Sequence, residues 1–170
     1  MERLHLEFVA RCEDAEPYRG LLLHFIQLAR THDVTICTSE DLERQGASTY
    51  AYNWKTGGDR YVYWFIGRAR DTTKVLGAVA ASNLSHEMGH VLQHADDLHP
   101  PDELAAEPAP WEADAWLRSW RNVEASGVVV PASFGQAFEQ ERARGVGSYA
   151  SARAVYLRQL AAREAARSAT

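Results

Sequence analysis

An α+β fold follows from three features of this 170-residue sequence. Stretches with apolar residues at helical spacing alternate with two aromatic and β-branched runs that flank a glycine turn. The longest helical stretch carries His86-Glu87-Met88-Gly89-His90, with its two histidines one turn apart. Together these predict a small mixed β-sheet packed on the long helix that bears His86 and His90, with further helices C-terminal to it. The length suits a single domain over 1–170.

The elements follow in order. Leu4, Leu6 and Phe8 alternate with His5 and Glu7, a period of two that predicts a short strand with one buried face. Over 17–32 the apolar positions Leu21, Leu22, Phe25, Ile26, Leu28 and Ala29 recur at helical spacing, with Pro17 in the first turn, where its missing N–H costs little. Residues 34–37 form a β-branched run. Thr38 to Asp41 then offer caps for a short helix through Gln45 that Gly46 ends. Residues 48–54 and 60–66 are rich in Tyr, Trp, Val and Thr, and Gly57 and Gly58 between them suit a hairpin turn. The second of these runs is either a structural strand or an edge onto which a substrate peptide adds.

A long helix is predicted over 74–97, closed by His99-Pro100-Pro101. The Pro- and acid-rich segment 100–110 is expected as a loop. A further helix runs over 111–125, and Gly127 breaks it. Residues 128–131 look extended and 134–144 helical. Gly145-Val146-Gly147 is expected to separate that helix from a last one over 148–167 whose Ala- and Arg-rich end frays.

Composition narrows the function classes. Hydrophobic residues make up 46% and charged residues 24%, the balance of a soluble globular protein. No apolar run approaches the roughly 20 residues of a membrane span, so no membrane partner is expected. A net charge of -5 gives no electrostatic grip on phosphate backbones, and no direct nucleic-acid partner is expected. Cys12 and Cys37 have no metal-ligand spacing and are expected as two buried free thiols. The first twenty residues interleave charges with apolar residues, unlike a secretory signal, which points to the cytoplasm.

The chemistry sits in the HExxH pattern. Residues four apart lie one above the other on a helix, so His86 and His90 can grip one Zn²⁺. Glu87 lies about 100° round the helix from His86 and about 60° from His90, where its carboxylate can reach a water on the metal without binding it. That is the position a general base requires. Ala81, Leu84, Met88, Val91 and Leu92 fall on the opposite side, so one face can pack on the core while the other faces a cleft.

A catalytic zinc typically takes three protein ligands, so a third is needed. The candidates are His94, Asp96, Glu107, Glu112 and Asp114. His94 is a further turn along the same helix and suits a supporting or rim position. Asp96 stands where HExxHxxGxxH/D enzymes place their third ligand, but those turn the chain at a Gly and Gln93 occupies that place here. On the helix over 111–125 the apolar stripe is Ala113, Trp116, Leu117, Trp120 and Val123. Glu112 borders the stripe, whereas Asp114 lies beside Arg118 and Arg121 as a surface ion pair. A carboxylate at the edge of a tryptophan-rich core is costly unless compensated, which favours Glu112.

The run Asn83-Leu84-Ser85 followed by HEMGH and Val91-Leu92-Gln93-His94, with Glu112-Ala113-Asp114-Ala115-Trp116 downstream, resembles the ImmA/IrrE metallopeptidases of bacteria and phages. The resemblance covers roughly residues 15 to 131. It departs from the family pattern at Leu117 and in the acidic Pro-rich loop. It implies a zincin-like domain with His86 and His90 as zinc ligands, Glu87 as base and Glu112 as third ligand. It also implies a protein substrate of the helix-turn-helix repressor type. The expected activity is peptide hydrolysis by metal-activated water with Glu87 as base. The rivals are a catalytically silent protein-binding module and a metallohydrolase of a non-protein substrate.

Overall fold

A computed structural model describes residues 2–44, 50–53, 60–67, 73–98 and 108–148. The architecture is α+β. Helices α1 (Glu2–Arg11) and α2 (Arg19–Thr31, entered through the 3₁₀ turn Glu16–Tyr18) precede β1 (Val34–Cys37), α3 (Ser39–Arg44), β2 (Tyr50–Asn53) and β3 (Arg60–Trp64). Then follow α4 (Gly77–Ala95) and α5 (Pro108–Ser126). A sixth helix, α6, covers 132–148.

The first element is a helix and not the strand its alternation predicts. Leu4, Phe8 and Cys12 are four apart, so the two ends of the alternating run, Leu4 and Phe8, also line one helical face. Phe8 and Cys12 are buried and Leu4 packs against the core, while Leu6 is 59% exposed. The Glu7–Arg11 ion pair at 3.1 Å has the helical i,i+4 spacing. The expected capping residues do start α3: the Thr38 hydroxyl accepts the Asp41 N–H and the Asp41 carboxylate accepts the Thr38 N–H at 3.0 Å.

The three strands form one mixed sheet in the order β1-β3-β2. β3 pairs parallel with β1 from Val34↔Arg60 and antiparallel with β2 from Tyr50↔Trp64. β3 is therefore the central strand, bonded on both sides. That removes the open-edge alternative over 60–66 and leaves the structural strand. Its Val62 and Trp64, with Ile66 beyond it, are buried, whereas Tyr61 and Tyr63 stack on the opposite face. The Trp64 indole N–H donates to the Ala80 carbonyl of α4 at 2.9 Å, which ties the sheet to that helix.

α4 begins three residues later than the pattern predicts because Val75 is used elsewhere. Its N–H donates to the Arg11 carbonyl and its carbonyl accepts from Glu13. The Gly77 N–H, unsatisfied within the helix, donates to the Asp14 carboxylate at 2.8 Å. α5 begins three residues earlier than predicted, taking Pro108 and Pro110 into its first turn, where N–H groups have no intrahelical partner. Gly127, at φ +68°, ends it as expected.

Gly145 and Gly147 lie inside α6 and do not interrupt it. Phe134, Ala137, Phe138 and Glu141 are buried at helical spacing, with the phenyl rings against Trp116 and Trp120. That packing outweighs the cost of about 1 kcal/mol for each glycine in a helix. The predicted Gly46 stop, the hairpin turn, the 99–107 segment and the last helix beyond 148 lie outside the described residues. Among the described residues, no helix is long and apolar enough to cross a membrane.

Candidate metal centre

α4 and α5 pack antiparallel along a seam of small residues. Ser85 bonds Ser119, Gly89 abuts Ala115, and Gln93 reaches the Trp111 carbonyl at 2.8 Å. The three α4 positions are four apart, so one helical stripe makes the whole seam. This stripe neighbours the one bearing His86 and His90 and brings Glu112, in the first turns of α5, over their ring nitrogens. Of the expected core positions, Ala81, Leu84, Met88 and Val91 are buried on the other side of α4, whereas Leu92 is only half-buried.

Three ligand atoms converge. His86 Nε2 lies 3.1 Å from Glu112 Oε2, His90 Nε2 lies 3.5 Å from the same oxygen, and the two ring nitrogens are 3.2 Å apart. Among the described residues, these are the three grouped closely enough to hold a metal ion. Ligand atoms about 2.0–2.1 Å from a tetrahedral zinc stand about 3.3–3.4 Å apart, which is the scale of the triangle observed. Glu112 Oε2 is buried yet makes no directed hydrogen bond among the described residues. A buried carboxylate oxygen facing two imidazole nitrogens without a proton aligned between them suits a cation at their centre. The group could therefore hold a metal ion, and its spacing is compatible with zinc.

Electrostatics couples the three residues. Burial raises the Glu112 carboxyl, but the imidazoles of His86 and then His90 outweigh it and hold the group down at about 2. Burial lowers His90, and the Glu112 carboxylate together with the charge of Glu87 overcomes that and leaves the imidazole raised. Glu87 is itself buried, with Oε1 4.0 Å from His86 Nε2 and outside the ligand triangle.

The rings are also fixed by their faces. His86 stacks on Trp116 with centroids 4.3 Å apart, and His90 stacks on Trp111 at 5.6 Å. Both tryptophans come from α5, so the helix that supplies the carboxylate also holds the imidazoles in place.

The remaining candidate ligands are elsewhere. Asp96 is 63% exposed and bonded to Arg118. Asp114 pairs with Arg118 at 2.6 Å, as its spacing predicts, but it also accepts from the buried Gln93 amide at 2.9 Å. His94 is half-buried and outside the cluster. Glu107 lies outside the described residues. Gln93 is the residue that sequence reasoning passed over. Its available signal was the i,i+3 spacing from His90, with a 2.8 Å contact between His90 Nδ1 and Gln93 Oε1.

Fold and site together define an α+β protein with a two-histidine, one-carboxylate group able to hold a metal ion. No protein-family model, curated protein or solved structure matches the chain.

Proposed function

We propose that this chain is a zinc-dependent metallopeptidase of zincin type, related to the ImmA/IrrE group and acting on a protein in the cytoplasm. The observation that carries the reading is the triangle of His86 Nε2, His90 Nε2 and Glu112 Oε2, with Glu87 buried beside it on the same helix. Two histidines and a carboxylate form a ligand set of catalytic zinc sites, which keep one position for solvent or substrate.

When bound, zinc supplies Lewis acidity toward water and a carbonyl. His86, His90 and Glu112 would hold the ion, and the stacked Trp116 and Trp111 keep both imidazoles from turning away. Glu87 takes a proton from the attacking water and delivers it to the leaving amine nitrogen. Its burial beside His86 keeps bulk water from competing for that proton. By the resemblance, the substrate is a repressor of helix-turn-helix type.

The test is a pair of measurements on the purified chain. Zinc content should be one ion per chain for the wild type and for Glu87→Gln, while hydrolysis of unstructured protein or candidate repressors should fall by ~10²–10⁴-fold in the variant. Full zinc with no hydrolysis of any protein by the wild type would favour the silent binding module. Turnover unaffected by Glu87→Gln would remove Glu87 as base.

A further inference from the structure

We infer that Gln93 is a positioning residue that presents His90 to the metal through Nε2, an inference that rests on the metal-centre reading above. Gln93 is fully buried in α4, one turn past His90. Its amide nitrogen lies 2.8 Å from the Trp111 carbonyl oxygen and 2.9 Å from Asp114 Oδ2. A carbonyl and a carboxylate only accept hydrogen bonds, so both amide hydrogens are committed to α5. The amide oxygen is thereby turned to His90 Nδ1 at 2.8 Å, and it too only accepts. Nδ1 must carry the hydrogen. A neutral imidazole has one N–H, which leaves the Nε2 lone pair directed at Glu112 Oε2 and His86 Nε2.

The orientation of Gln93 is itself anchored. Asp114 is held by Arg118, which also bonds Asp96 at the surface. Trp111 contributes twice, through its carbonyl to Gln93 and through its ring to the His90 face. His86 differs: its Nδ1 is buried with no hydrogen-bond partner among the described residues. Gln93 therefore fixes a hydrogen on Nδ1 of His90, so that Nε2 is the nitrogen left for an ion, and the setting comes from Trp111 and Asp114, which lie on either side of Glu112 on α5. A hydrogen bond to the second nitrogen of a ligating histidine both orients the ring and raises its basicity.

The test uses the full chain with ¹⁵N-labelled histidine, and zinc alone as the probe. In the zinc-loaded wild type, His90 should show a slowly exchanging proton on Nδ1 and none on Nε2. Gln93→Met keeps the volume and removes the bonds. It should weaken zinc binding by about 10–100-fold in a chelator competition and abolish the slow exchange at Nδ1. The ring measurement is made on the wild type, so it decides the point even where Gln93→Met does not fold. Coordination of His90 through Nδ1, or zinc binding by Gln93→Met as tight as wild type, would overturn the inference while leaving the metal centre standing. A wild-type chain that binds no zinc overturns both.

Discussion

Gly89 meets the backbone of Ala115 so closely that a Cβ added to it would stand 2.0 Å from the Ala115 carbonyl oxygen. Gly89 belongs to the HEMGH run, yet its place there concerns helix packing and not metal chemistry. The close approach allows α5 to bring Glu112 within reach of His86 and His90.

Gly89→Ala should therefore cost at least about 2 kcal/mol, because the obstacle is backbone and not a movable side-chain tip. Gly135→Ala is the contrast. Its Cβ would meet only the Trp120 ring at 3.7 Å, an ordinary contact inside α6. It should stabilise the chain by about 0.5–1 kcal/mol through helix propensity. Urea unfolding of the two variants checks the opposite signs, and zinc affinity should fall only in Gly89→Ala.

Zinc should stabilise the fold, since the triangle assembles from two helices that unfolding separates. At free zinc a hundredfold above Kd the gain is about 2.7 kcal/mol, or ~5–10 °C in melting temperature for a chain of this size. Glu112→Ala should abolish the shift. Asp96→Ala and Glu87→Gln should keep it, because Asp96 is bonded to Arg118 and Glu87 lies outside the triangle. A shift that survives in Glu112→Ala and vanishes in Asp96→Ala would reverse the choice of third ligand.

The first helix offers a test of how its face is laid down. Phe8 is fully buried and stacks on Trp64 at 5.5 Å, whereas Leu6 points outward. Phe8→Ala should cost about 3–5 kcal/mol. Leu6→Lys should stay within about 0.5 kcal/mol of wild type. A strand would place both side chains on one buried face and make the two substitutions comparably harmful.

That helix also marks what the sequence leaves ambiguous. Over five residues, Leu4 and Phe8 satisfy a period of two and an i,i+4 spacing equally, and only the packing of Leu6 separates the alternatives. The His86 and His90 pair was legible because its spacing is set by the helix itself. Glu112 was legible because the cost of burying a carboxylate ties its face to a partner. The central place of β3 was not, since pairing between distant segments leaves no local pattern. Gln93 escaped for a related reason: its role depends on the Trp111 carbonyl and on Asp114, which meet it only after α5 docks.

Acid should loosen the junction between α1 and α3. Asp41 accepts from Arg3 at 2.6 Å and from the Thr38 N–H and hydroxyl at 3.0 and 2.9 Å. Burial raises its carboxyl, but the Arg3 and Thr38 bonds outweigh that and hold it below the ordinary aspartate value of 3.8. A carboxyl lowered on folding contributes stability that is fully present above its unfolded pKa and is lost as pH falls through the folded one. Arg3 is half exposed, so solvent screens the pair and the effect is modest. Asp41→Asn should therefore destabilise the chain by about 0.5–1 kcal/mol at neutral pH, from the ion pair and the cap together. The gap between wild type and variant should hold down to about pH 5 and close as the pH falls through the depressed pKa of Asp41. Urea unfolding across that range decides it: a gap that stays constant would mean that the charge on Asp41 contributes nothing to holding α1 to α3.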